Sequence, residues 1–237
     1  MPPDISYDIR YPEGSHDRIA IRMDSSGEID VDADYQPPAW AKLSFHQCAH
    51  CTLDPAEHEY CPVARNIAFL FPESFSSTSW QDVTLTVTTD ARRYSADTTL
   101  QRALGSLFGL ICSLSDCPHT RVLKPMGVFH LPLSNDRETL VRAASFFLLK
   151  RYLEHLRNPD IGIDLSEMES TYKNLKILNR GLAQRFRGDG SSDAAANAFV
   201  LLDILVRDVD FELEEQLDAL RAIFTTDQVA PGELVND

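Results

Sequence analysis

The sequence predicts an α+β fold, in which a small N-terminal antiparallel β-sheet packs on a C-terminal bundle of about four helices. Two observations carry this. Apolar residues alternate with polar ones at period two in the first third of the chain, and from residue 98 onward they recur at helical spacing behind recognisable cap residues. The expected division is a β-rich region over 1–134, holding one or two helices, and a helical bundle over 135–237 with a loose tail after 225.

Ile5, Tyr7, Ile9 and Tyr11, and then Ile19, Ile21 and Met23, each put one face on a core and the other in water. Asp24-Ser25-Ser26-Gly27 is a turn signal leading to Ile29-Asp30-Val31. Pro37-Pro38 interrupts; Trp40 to Phe45 and the β-branched run Val83 to Thr88 complete a set of roughly five strands. Thr98 with Gln101, Asn135 with Glu138, and Ser166 with Glu169 have capping-box spacing. The first of these helices presents Leu100, Ala103, Leu104, Leu107, Phe108 and Ile111 on one face. Gly105, Gly109 and Cys112 lie on a neighbouring face of small residues suited to close backbone approach. The other two run for about 20 residues each, the latter stopping at Gly188 just past Arg185 and Arg187. Phe146, Phe147, Leu148, Leu149, Tyr152 and Leu153 predict burial on two sides for the helix after Asn135, and further helices are expected at 193–207 and 211–224.

The chain has 237 residues, is 43% hydrophobic and 24% charged, and carries a formal charge of −14. That composition is globular, and the acidic balance argues against a nucleic-acid partner, which needs a basic face. No apolar run reaches the roughly 20 residues of a membrane helix, and the N-terminus lacks the basic and apolar regions of a secretory signal. A cytoplasmic location is therefore expected, where five cysteines remain thiols. Residues 137–187 hold ten basic against six acidic side chains, and 188–237 two against twelve. The two stretches either neutralise each other across packed helices or present an acidic surface to a basic partner.

The chemistry concentrates in Phe45-His46-Gln47-Cys48-Ala49-His50-Cys51, followed by Cys61-Pro62. Two thiolates in Cys-x-x-Cys spacing can turn toward one point, as at tetrahedral zinc sites. Cys117, in Ser115-Asp116-Cys117-Pro118-His119, supplies the fourth sulfur, with His46, His58, His119 and His130 as alternative donors. Pro62 suits the first position of a helix carrying Val63, Ile67 and Leu70, which would place Cys61 at an N-terminus whose free N–H groups stabilise a thiolate. The expected set is thus Cys48, Cys51, Cys61 and Cys117 on zinc, as a Cys-rich metal knuckle. Cys112 reads as a buried small apolar residue, and His130, among apolar neighbours, as a hydrogen-bonded core histidine.

The same sulfurs could carry an iron–sulfur cluster, although the usual three closely spaced cysteines are missing. Cys48-Ala49-His50-Cys51 also resembles an oxidoreductase dithiol, but Asp54-Pro55 follows too soon for the long helix such a motif must open. Phosphate loops, dinucleotide fingerprints, His-Glu-x-x-His and Gly-x-Ser-x-Gly are absent, so no catalytic residue is assigned. Arg92, Arg93, Lys124 and Arg142 offer an anion pocket with no spacing that makes them converge. The function expected is a non-catalytic metal-binding module that meets a protein partner or a second copy of the chain.

His46-Gln47-Cys48-x-x-Cys51, Tyr60-Cys61-Pro62-Val63-Ala64, Ser115-Asp116-Cys117-Pro118-His119-Thr120, Lys124-Pro125-Met126 and Phe129-His130-Leu131-Pro132 resemble the motif series of a mainly proteobacterial family classed as a domain of unknown function. The resemblance covers roughly residues 40–225; it implies a bacterial cytoplasmic protein and assigns no reaction. The family pattern has Gly where this chain has Asp116, an extra negative charge beside the expected thiolate.

Overall fold

A computed structural model describes residues 5–70, 80–188 and 213–224. It has the expected α+β architecture. Four strands, β1 (Ile5–Arg10), β2 (His16–Ile21), β3 (Asp82–Thr88) and β4 (Arg93–Thr99), form an antiparallel sheet in the order β2-β1-β3-β4. Six helices are described: α1 (Pro62–Leu70), α2 (Leu100–Ser113), α3 (Lys124–Val128), α4 (Asp136–His155), α5 (Met168–Gly188) and α6 (Leu213–Phe224). The helix expected at 193–207 lies outside the described residues.

The period-two alternation does what it predicts. Ile5, Tyr7 and Ile9 of β1, Ile19 and Ile21 of β2, and Val83, Leu85 and Val87 of β3 bury one face of the sheet. Against it pack Leu100, Leu104, Leu107, Phe108 and Ile111 of α2, together with Val63 and Ile67 of α1. Two expected strands are absent among the described residues. Ile29 makes only an isolated bridge with Met23, and Trp40 falls in a 3-10 turn, Ala39–Ala41, behind the Pro37-Pro38 pair. The strand β4 was not foreseen, because Arg93-Tyr94-Ser95-Ala96-Asp97-Thr98-Thr99 is polar on both faces and is specified by its pairing with β3. It runs directly into α2, so the N-cap is Thr99, whose side chain accepts from the N–H of Arg102, one residue later than the expected Thr98. Asn135 caps α4 in a full capping box with Glu138, as its spacing predicts.

Helix α5 joins two cores. Its first half, with Met168, Tyr172 and Leu175, packs with Leu140, Ala143, Ala144 and Phe147 of α4 and Leu220 of α6. Its second half, with Leu178, Leu182, Ala183 and Phe186, belongs to the core of the sheet. The expectation that α4 is buried on two sides fails in its C-terminal half, where Leu149, Tyr152 and Leu153 are exposed.

The sheet is tied to the segment before α4 by one polar contact. The Tyr7 hydroxyl lies 2.5 Å from His130 Nε2 and 3.1 Å from Ser106 Oγ. Burial, with Arg142 nearby, pushes the His130 imidazole down to about 3, so it stays neutral in the fold and can accept from Tyr7. The unfolded imidazole titrates near 6.5. As pH falls below that value the unfolded chain binds a proton that the native chain refuses, which removes up to roughly 1.4 kcal/mol of stability per pH unit. In urea unfolding, the stability advantage of the native sequence over His130→Asn is expected to shrink by up to about 2 kcal/mol between pH 7.5 and 5. A constant difference shows that the native imidazole protonates freely.

Candidate metal centre

The long connection between β2 and β3 carries three of the four expected sulfurs. Cys61 is placed by a short antiparallel bridge between Lys42 and Tyr60: Leu43 N donates to the Glu59 carbonyl (2.8 Å) and Cys61 N to the Ala41 carbonyl (2.9 Å). Pro62 then opens α1, as its fixed φ favours. Cys48 and Cys51 sit in a tight turn, with Cys51 N donating to the Cys48 carbonyl (2.9 Å). Gln47 Nε2 closes the loop on the Leu53 carbonyl (3.0 Å). Cys117 lies in the turn after α2, where its carbonyl accepts from the N–H groups of Thr120 and Arg121.

All four expected residues, Cys48, Cys51, Cys61 and Cys117, line one small cavity of about 20 Å³, together with His119, Arg185, Leu178 and Leu182. Of the four alternative histidines, His119 alone is among these lining residues. His58 is exposed, His46 packs edge-on against Phe45, and His130 is engaged with Tyr7. Cys112 is buried outside the set lining this cavity, as expected of an apolar thiol. Among the described residues, no three His, Cys, Asp or Glu side chains stand with their donor atoms already gathered as they would be around an ion.

Without an ion the cavity favours the neutral thiols. Burial pushes the Cys48 thiol up to about 12, and its neighbours Cys61, Cys117 and Cys51 add to the rise. Burial likewise raises Cys117 to about 11, against the opposing pull of the His119 and Thr120 backbone N–H groups. Cys61 is raised by burial and pulled back by Arg185 and by the N–H groups of Ala64 and Val63. Two sulfurs therefore each face a pair of N–H groups from the residues that follow them, an arrangement that stabilises thiolate over thiol.

Sequence reasoning missed the cation. Arg185 was read as a basic residue closing α5, but its side chain is 1% exposed. Its Nη1 donates to the carbonyls of Trp40 (2.5 Å) and Lys42 (2.6 Å), and its guanidinium lies over the Phe45 ring at 5.8 Å. Its Nε is buried without a hydrogen-bond partner, and among the described residues no carboxylate pairs with it. Burial pulls its pKa down, and Cys61, Cys48 and Cys51, once ionised, would pull it back up. The signal was present: Leu178, Leu182, Arg185 and Phe186 share one stripe of α5. The charge of Asp116 is met by Arg121.

Two further contacts seat the cysteine turn, one on α5 and one on the turn after α2. His50 Nε2 lies 2.9 Å from the Asn174 carbonyl, and the His50 ring stacks on His119 with centroids 3.9 Å apart. At Gly181 a Cβ would fall 2.8 Å from Cys48 Sγ.

The fold and this site define an α+β protein in which a thiol-lined cavity closes the junction between the sheet core and the helical layer. The family model described as a domain of unknown function, DUF6901, matches residues 5–225, and the chain belongs to that family. Comparison with curated proteins and with solved structures gives no significant match.

The Gly181 contact is directly testable. In an unobstructed helix Gly→Ala stabilises by about 1 kcal/mol. Gly181→Ala is expected instead to destabilise by about 1–3 kcal/mol, because the added methyl meets the Cys48 sulfur. Chemical denaturation measures this, and a gain in stability would mean that the cysteine turn does not rest on α5.

Proposed function

We propose that Cys48, Cys51, Cys61 and Cys117 hold one structural zinc ion, and that the protein acts without catalysis as a cytoplasmic, metal-stabilised interaction or regulatory module. The observation that carries this reading is the buried Arg185 guanidinium, without a carboxylate partner, beside four thiols brought together from separate stretches of chain. A lone buried cation costs several kcal/mol, and four neutral thiols offer it nothing. Zinc resolves both costs. It draws off the thiol protons, and the resulting four-thiolate complex carries a net negative charge for Arg185 to offset. Reorientation of the cysteine side chains within the shared cavity is what this requires.

The size of the cavity favours one ion. About 20 Å³ is the space of a single water-sized body, less than a cluster of several irons and sulfides needs. The dithiol alternative is disfavoured by Cys48, which opens no helix and whose thiol is pushed away from reactivity. The exposed apolar residues Leu149, Tyr152 and Leu153 of α4 and Leu156 just after it support the interaction part of the reading, as a face for a protein partner or a second copy of the chain. No described helix is long and apolar enough to cross a membrane.

Anaerobic purification with elemental analysis and an absorption spectrum tests the proposal. About one zinc per chain is expected, with no visible absorption and a marked loss of thermal stability on chelation. Cys61→Ala and Cys117→Ala are expected to lose the metal, while Cys112→Ala keeps it. Protein that purifies metal-free with its thiols unliganded, or brown with iron and sulfide, sinks the zinc reading.

A further inference from the structure

A second cavity, of about 440 Å³, lies between α2, the segment 120–135, α4 and α5. That volume is within the roughly 300–1,000 Å³ of small-molecule pockets. Its origin is visible in the sequence. Gly105 and Gly109, on the small-residue face of α2, line this space. Leu110, Leu123, Met126, Leu175 and Leu178 give it apolar walls.

Three polar side chains in the wall keep hydrogen-bonding capacity that the described residues do not use. Tyr172 is 6% exposed and Asn179 is 5% exposed; both line the cavity, and neither side chain has a hydrogen-bond partner among the described residues. Both are thus open to a partner inside the cavity. The third is Arg142. Its Nη2 donates to the carbonyls of Met126 (3.1 Å) and Phe129 (2.7 Å), and no carboxylate pairs with it among the described residues. Glu138, one turn earlier on α4, is engaged in the helix cap through Asn135 N. His130 is neutral, so it neither offsets nor adds to the Arg142 charge. Arg102 and Asp136, both exposed, also line the cavity and carry opposite charges.

The spacing of these groups describes a ligand. Arg142 and Tyr172 both line the cavity, and the Arg142 charge acts on the Tyr172 hydroxyl. On α5, Tyr172, Leu175 and Asn179 recur at i, i+3 and i+7, which puts Asn179 roughly 10 Å farther along the same face. We propose that this cavity binds an amphipathic monocarboxylate. The carboxylate meets Arg142 and the Tyr172 hydroxyl, an apolar body of about ten atoms lies against the leucines, and a polar group at the far end reaches the Asn179 amide. Of the basic residues considered for an anion pocket, Arg142 serves this one; Lys124 is paired with Glu28 at 3.0 Å. This binding site does not depend on the metal reading.

Isothermal titration of the full chain with decanoate, 10-hydroxydecanoate and decyltrimethylammonium tests it. Saturable binding of one decanoate per chain is expected, at least about tenfold tighter than the cation of the same body. The hydroxy acid binds more tightly than decanoate, and Asn179→Leu abolishes that preference. Arg142→Gln weakens both acids at least about tenfold. Should either variant fail to fold, the comparison of head groups on the native protein still decides. No saturable decanoate binding, or equal affinity for the carboxylate and the cation, overturns the proposal.

Discussion

The junction of this protein turns on a buried positive charge. Arg185 reaches from α5 under the 40–45 segment, holds two of its carbonyls and covers its Phe45 ring. Those contacts position the bridge at Lys42 and Tyr60, and through it Cys61 at the start of α1. They satisfy one nitrogen of the guanidinium and leave Nε orphaned. The charge itself still lacks a counterion among the described residues, and burial accordingly pulls the Arg185 pKa down while the adjacent sulfurs pull it up. An apolar side chain of similar length would fill the space at lower cost. The guanidinium is therefore best understood through the sulfurs beside it, whose ionisation it favours.

Helix α5 gives that charge its leverage. Its two halves belong to different cores, with Tyr172 and Leu175 among the helices and Leu178, Leu182 and Phe186 against the sheet side. Gly181 lets the cysteine turn rest against the helix between them, and His50 adds a contact to the Asn174 carbonyl. The helix is thus the wall on which both cavities are built, and Leu178 lines each of them.

Much of this was legible where local pattern and tertiary role agree. The alternation of Ile5, Tyr7 and Ile9, the cap at Asn135 and the proline after Cys61 each fixed an element before any packing was known. Cys-x-x-Cys and the Cys-Pro helix start marked three of the cysteines that line the smaller cavity, and the turn after α2 brings Cys117 to the same lining. What escaped was set by long-range pairing. Strand β4 has no apolar face of its own and exists through its ladder with β3. The Trp40 to Phe45 run looks like a strand but is bent by the preceding prolines and held by Arg185, 143 residues from Lys42. Arg185 and Asn179 are buried although a basic residue near a helix end and an amide within a helix are residue types usually found at the surface. Their positions on the apolar stripe of α5 were the available warning.

The two proposed sites meet on one rigid element, which constrains how each can behave. An ion that gathers the four sulfurs fixes Cys48 against Gly181 and so fixes the face of α5 that also presents Leu178, Leu175 and Tyr172 to the larger cavity. A carboxylate on Arg142 and Tyr172 acts on the same helix from its other half. Any free energy by which zinc favours the cavity's binding-competent shape must reappear as an equal effect of the carboxylate on zinc affinity, since such coupling is reciprocal. With Leu178 in both walls, a shift of α5 that opens one cavity presses on the other. Packed interiors transmit strain of this kind because they have little free volume to absorb it. The thiol cavity, at about 20 Å³ against about 440 Å³, has the less free volume in which to absorb such a shift.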